Sequence, residues 1–146
     1  MTGLWTIGYE GAAFDDFLET LWRTGITKVL DVREIPVSRC KGFSKKALEQ
    51  ALSDCGIDYQ HERRLGSPRD VRHRLRATGD LQRFLRDFKA HLAGQQDLLD
   101  ELADNLHGKV ALFCYERDSR FCHRTIVARA LEKRTGLTPD HLSVIG

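Results

Sequence analysis

No stretch of this sequence approaches the roughly 20 consecutive apolar residues that a membrane-spanning helix requires, so no membrane partner is expected. The opening residues, Met1–Tyr9, lack the charged start and extended apolar run of a secretory leader. A cytoplasmic location follows as the expectation. Internal repeats and low-complexity tracts are also missing. So is an excess of one charge: the formal net charge is only +2, too small to declare a nucleic-acid binder by itself. Cysteine is sparse, with 4 residues, and no two stand in a Cys-x-x-Cys pair. In a reducing compartment such thiols serve packing, catalysis or metal binding rather than acting as disulfide staples.

The length of 146 residues suits one ordinary domain spanning 1–146, and a hydrophobic share of 41% supplies a real core. The charges are unevenly placed. Between Gln60 and His91, eight Arg and Lys89 stand against Glu62, Asp70, Asp80 and Asp87, a local +5 that leaves the rest of the chain at −3. The leading arginines are Arg63, Arg64, Arg69, Arg72, Arg74 and Arg76. A local basic surface attracts anions even on a nearly neutral protein. A solvated helix face is the competing reading. Few aromatics lie within Arg63–Arg86, so nucleic-acid contacts there would go to phosphates rather than bases.

Short apolar runs at Leu4–Ile7, Ile26–Asp31, Ile57–His61, Lys109–Cys114 and His141–Ile145 read as strands. Helical spacing joins Phe14, Phe17, Leu18, Leu21 and Trp22 before Gly25. Ser44 is placed to cap a helix whose inner face carries Ala47, Leu48, Ala51, Leu52 and Cys55, so Cys55 is read as core. Two further helices carry Leu81–Leu92 and Leu98–Leu106, and a last one begins near Cys122 and runs to Arg134. Arg63–Thr78 has weak periodicity and reads as a loop or a mobile helical excursion. Strands alternating with helices imply an α/β fold: three layers around a mostly parallel sheet of about five strands.

In such sheets ligands bind beyond the carboxyl ends of the strands. The first strand ends in Thr6-Ile7-Gly8-Tyr9-Glu10-Gly11, the second in Asp31-Val32-Arg33, the fourth in Cys114-Tyr115-Glu116-Arg117. The densest chemistry runs from Cys114 to Arg124. Cys122 and His123 fall at a helix start, where a thiol ionises more readily. Arg117, Arg120 and Arg124 can hold an anion by bidentate hydrogen bonds. Glu116 can act as general acid or base, or can orient an arginine, and pairing with an arginine is expected. Arg33, Glu116 and Arg124 are expected to converge near Gly8 and Tyr9. Core packing for Cys114, an ordinary ion pair for Glu116 and simple capping for His123 are the alternatives. Cys114, Cys122 and His123 reveal no fourth ligand, so neither a metal nor another cofactor is expected.

Cys114 to Arg120 spells Cys-x5-Arg, the spacing of phosphatase-type anion loops, and Asp31-Val32-Arg33-Glu34 looks like a rhodanese strand. Tyr115, Glu116 and Asp118 are bulky or acidic where such loops favour small residues. The chain as a whole resembles the bacterial and archaeal family called domain of unknown function 488 (DUF 488). The matching words are Thr6–Gly11, Asp31-Val32-Arg33 with Pro36 and Ser38, Gly42-Phe43-Ser44, and Tyr59-Gln60-His61 through Leu65-Gly66. Cys114-x-Glu116-Arg117-Asp118 with Cys122-His123-Arg124 completes the set. The resemblance implies the α/β fold and a pocket built from Gly8, Tyr9, Asp31, Arg33, Ser38, Glu116, Cys122, His123 and Arg124. It implies no activity.

Three functions compete. The first is an enzyme acting on a phosphorylated, nucleotide or nucleic-acid ligand, with Cys114, Glu116, Cys122 and His123 as reacting groups and Tyr9 stacking on a base. The second is sulfur transfer or thiol redox chemistry. The third is a non-catalytic nucleic-acid module. The expected partner is therefore an anionic small molecule or a nucleic acid, and the oligomeric state stays open.

Overall fold

The computed structural model describes residues 2–144. Its five strands, β1 (Gly3–Gly8), β2 (Lys28–Asp31), β3 (Asp58–His61), β4 (Lys109–Cys114) and β5 (Asp140–Leu142), pair in the order β3-β2-β4-β1-β5. Every pairing is parallel, with Gly8 opposite Cys114 and Asp31 opposite Phe113. The expected α/β architecture is thus present. Ile145, expected in the last strand, lies outside the described residues.

Side-chain alternation along β4 builds both halves of the core. Val110, Leu112 and Cys114 join one apolar cluster, whereas Ala111 and Phe113 join the other. The first cluster is covered by α4 (Leu81–Ala93), α5 (Gln96–Asp104) and α6 (His123–Thr135), through Phe88, Leu99 and Leu131. The second is covered by α1 (Phe14–Thr24) and α2 (Lys45–Asp54), through Phe17, Leu21, Leu48 and Leu52. The chain therefore leaves β1 and β2 toward one face of the sheet and leaves the neighbouring β4 toward the other. Adjacent loops that part in this way open a crevice at the carboxyl edge, the usual ligand position of parallel sheets.

The arginine-rich stretch is not a loop. After a 3₁₀ turn at Arg63–Leu65 it forms α3 (Arg69–Thr78), which packs on α4. Fully buried Leu65 and nearly buried Val71 pin it down. Only Val71, Leu75 and Ala77 are apolar in α3, too few for the pattern to show in sequence. Three smaller expectations change too. Cys55 ends α2 as an exposed residue, not core. Trp22 is 74% exposed although it follows the helical spacing. Ser44 precedes α2, but its hydroxyl serves Ser38: it donates to the Ser38 carbonyl and accepts from the Ser38 N–H.

Candidate active site at the carboxyl edge of the sheet

The ends of β1 and β4 are stitched together beyond the sheet. Tyr9 N–H donates to the Cys114 carbonyl, Glu10 N–H to the Tyr115 carbonyl, and Arg117 N–H to Glu10 Oε1. The approach is so close that a Cβ on Gly8 would lie 1.8 Å from the Glu116 carbonyl oxygen, so only glycine fits there. From the α6 side, the fully buried Arg124 donates through Nη1 to the Glu116 carbonyl and through Nη2 to the Arg117 carbonyl. Arg124 is therefore a brace for the loop. Its guanidinium lines a separate cavity of about 710 Å³ with Arg117 and His141.

At the end of β2, Asp31 and Arg33 are consumed internally. Arg33 donates Nε and Nη2 to the Asp31 carboxylate at 2.9 and 2.7 Å and Nη1 to the Phe43 carbonyl at 2.7 Å. Its plane lies 4.8 Å from the Phe113 ring. Tyr59 donates its hydroxyl to Asp31 as well, at 2.6 Å. Burial and that bond hold the Tyr59 phenol well above its ordinary pKa. Tyr9 is only 3% exposed and stacks on Phe43 and Phe113. It has no free face for a base, contrary to the sequence expectation.

On the opposite side of the sheet, four reactive side chains meet. Glu116 Oε2 lies 3.4 Å from Cys114 Sγ and 3.2 Å from Cys122 Sγ. His123 stands 3.8 Å from Cys114 Sγ and is fixed by an Nε2 contact of 2.7 Å with the Val32 carbonyl. One donor atom from each of the four residues falls within 4.8 Å of all the others. Cys122 is the N-cap of α6, as the sequence predicts. Burial pushes the Glu116 carboxyl up to about 7, and the charge of Cys122 adds to it. Burial likewise pushes the Cys114 thiol up. For Cys122 burial acts in the same direction, but the contact with Cys114 and the charges of His123 and Arg124 outweigh it and the net shift is down. Burial would lower His123; the neighbouring Cys122 and the Val32 carbonyl raise it instead. Negative charge in the cluster is thus favoured on the Cys122 sulfur beside His123 over the Cys114 sulfur, and Glu116 holds its proton more readily than an exposed carboxyl.

Cys114, Glu116 and His123 open onto a cleft of about 460 Å³, also lined by Tyr9, Arg33 and Ser38. Cys122, only 1% exposed, lies beneath it. Arg72 and Arg76 of α3, Arg39 and Tyr115 also line the cleft. Arg72 is tied to Glu34 at 2.9 Å. Arg39 and Arg76 make no ion pair among the described residues.

Several sequence expectations are therefore revised. Glu116 pairs with no arginine among the described residues; its partners are thiols. Arg33 and Glu116 share the cleft, but Arg124 faces away from it. Arg120, the arginine of the Cys-x5-Arg spacing, is 79% exposed and bonded to Asp118 at 2.8 Å, so it does not stand over the Cys114 thiol. Of the basic segment, Arg72 and Arg76 line the cleft, Arg63, Arg64 and Arg69 are exposed outside it, and Arg74 pairs with Asp70 and Asp87. Arg39 and Tyr115 are not singled out by the sequence reading as binding groups. Arg39 lies eight residues past the end of β2, too far along the chain for the strand-end rule to single it out.

The family model described as Domain of unknown function DUF488 matches residues 13–131. No curated protein and no solved structure matches the chain.

Proposed function

The chain belongs to the DUF488 family, whose description carries no activity, and we propose from the geometry that it is an enzyme acting on a phosphorylated small ligand of the nucleotide class. One observation carries this reading. Arg39 and Arg76, which make no ion pair among the described residues, line the same cleft as Cys114, Glu116 and His123. Arginine forks match phosphate oxygens, and cations lining the same cleft as reactive groups set a bound ligand against them. Tyr115, 43% exposed, and Val37, 70% exposed, give the rim an apolar surface for a base or similar ring.

The test is calorimetric titration with nucleoside monophosphates and the matching nucleosides. The nucleotides should bind and the nucleosides should bind much more weakly. Arg39→Ser with Arg76→Ser should weaken nucleotide binding by at least about tenfold, the equivalent of losing about 1.4 kcal/mol. Equal binding of nucleoside and nucleotide, or no nucleotide binding, would overturn the reading.

A second reading, a non-catalytic nucleic-acid module, draws on Arg63, Arg64 and Arg69, which are exposed outside the cleft. It calls for salt-dependent binding of single strands, with a slope of about −0.7 per phosphate contact. Sulfur transfer is less well supported, because the ionised thiol, Cys122, is sealed beneath the cleft floor.

A further inference from the structure

We infer that Cys114, Glu116, Cys122 and His123 form a binding site for one divalent metal ion of the zinc class at the floor of the cleft. The inference deepens the proposed active site, yet it rests on the four side chains alone and not on the identity of any substrate.

Geometry is the first support. Zn–S bonds of about 2.3 Å and Zn–N or Zn–O bonds of about 2.0–2.2 Å, at tetrahedral angles, put neighbouring ligand atoms about 3.5–3.8 Å apart. The observed separations are 3.4 Å for Cys114 Sγ to Glu116 Oε2, 3.2 Å for Cys122 Sγ to Glu116 Oε2, and 3.8 Å for Cys114 Sγ to His123 Nδ1. All other pairs are within 4.8 Å. Movements of up to about an ångström in the pairs that are farthest apart would complete a tetrahedron.

The orientation of His123 is the second. Its Nε2 is held by the Val32 carbonyl at 2.7 Å. With Nε2 so engaged, Nδ1 carries the free lone pair, and Cys114 Sγ lies 3.8 Å from either ring nitrogen; metal-ligating histidines are usually fixed through their other nitrogen. Charge is the third. A carboxyl and two thiols are gathered in a buried position, and among the described residues no lysine or arginine side chain forms an ion pair with Glu116. The Arg124 guanidinium is spent on backbone carbonyls, and that of Arg33 on Asp31. Buried anionic groups are stabilised by pairing or by coordinating a metal, and in this cluster His123 is the one side chain that can pair, against three acidic groups.

The donor set names the class of ion. Two sulfurs and an imidazole suit zinc and similar borderline ions, whereas magnesium and calcium take oxygen ligands. On binding, any protons still held by Cys114, Cys122, Glu116 and the ligating nitrogen of His123 leave to solvent. Glu116 is the least buried of the four and faces the cleft, so it is the ligand whose position a substrate oxygen or water can share.

The site escapes a sequence scan because no Cys-x-x-Cys marks it and one ligand is a glutamate. It comes together only because β4 ends beside the start of α6, which brings Cys114 and Glu116 to Cys122 and His123.

The experiment uses the full chain, reduced and stripped of metal, titrated with cobalt and then with zinc, without nucleotide. One equivalent of cobalt should bind. It should give a thiolate-to-cobalt charge-transfer band and the intense visible bands of a tetrahedral ion, and one equivalent of zinc should erase both. Cys40→Ser with Cys55→Ser should leave the spectrum intact. Cys122→Ser should remove much of the charge-transfer intensity. Glu116→Gln should keep the thiolate band while weakening affinity by more than about tenfold. Should Cys122→Ser fail to fold, Glu116→Gln and the Cys40/Cys55 variant decide alone. No thiolate band with the wild type, or loss of the band in the Cys40/Cys55 variant, would overturn the inference. Nucleotide titrations of the metal-free and zinc-loaded protein separate the two proposals, since either can fail while the other stands.

Discussion

Changing Asp31→Asn tests whether the end of β2 is scaffold or ligand site. Asp31 is fully buried and Arg33 is 6% exposed. Asp31 accepts two side-chain bonds and one backbone bond from Arg33 and a fourth from the Tyr59 hydroxyl. Asparagine keeps the shape but removes the charge, leaving the guanidinium buried against Phe113 without its counter-ion. Breaking one side of a buried ion pair costs about 3–5 kcal/mol. At about 2–4 °C per kcal/mol for a chain of this size, the melting midpoint should fall by roughly 6–20 °C. A protein of ordinary stability has about 5–15 kcal/mol in all, so the variant should fold but only marginally. Urea unfolding read by circular dichroism measures the loss. Asp31→Leu combined with Arg33→Met should cost less than the two single changes added together, because neither charge is then stranded. If Asp31→Asn costs less than about 1 kcal/mol while nucleotide binding disappears, Arg33 is a ligand-binding cation and the scaffold argument fails.

Gly8→Ala should destabilise by at least about 1–3 kcal/mol, since the new methyl meets backbone atoms of Glu116 that cannot rotate aside; a neutral result in urea unfolding would contradict the close approach of β1 to the Glu116 loop. Thiol counting should find Cys40 and Cys55 reacting promptly in the native metal-free protein, and Cys114 and Cys122 only after unfolding, because burial outweighs the ionisation of Cys122. Prompt labelling of more than two thiols per chain would show that the cleft floor opens.

Much of the fold was legible from local patterns. Runs such as Val110–Cys114 are apolar throughout because strands covered on both faces need no alternation, and glycine ends α1 and α6 where the chain must turn left-handed. The strand-end rule then pointed to the edge where Cys114, Glu116, Cys122 and His123 stand. α3 stayed undecided between loop and helical excursion, because a helix held by a few buried side chains hardly differs in composition from a solvated loop.

Residue type and spacing determined that this chain would alternate strand and helix and that its chemistry would gather near the ends of β1, β2 and β4, since backbone periodicity and side-chain burial are local properties. Only the tertiary structure decided which charges are free. Arg33 and Arg124 look like ligand-binding arginines in sequence, but the first is neutralised by Asp31 and the second is bonded to loop carbonyls. Arg39 looks like an ordinary surface residue and Arg76 like one member of a basic patch, yet both line the cleft and make no ion pair among the described residues. A side chain's partners are set by which distant segments fold beside it, and that is fixed only when β4 packs between β1 and β2 and α3 closes over the sheet edge.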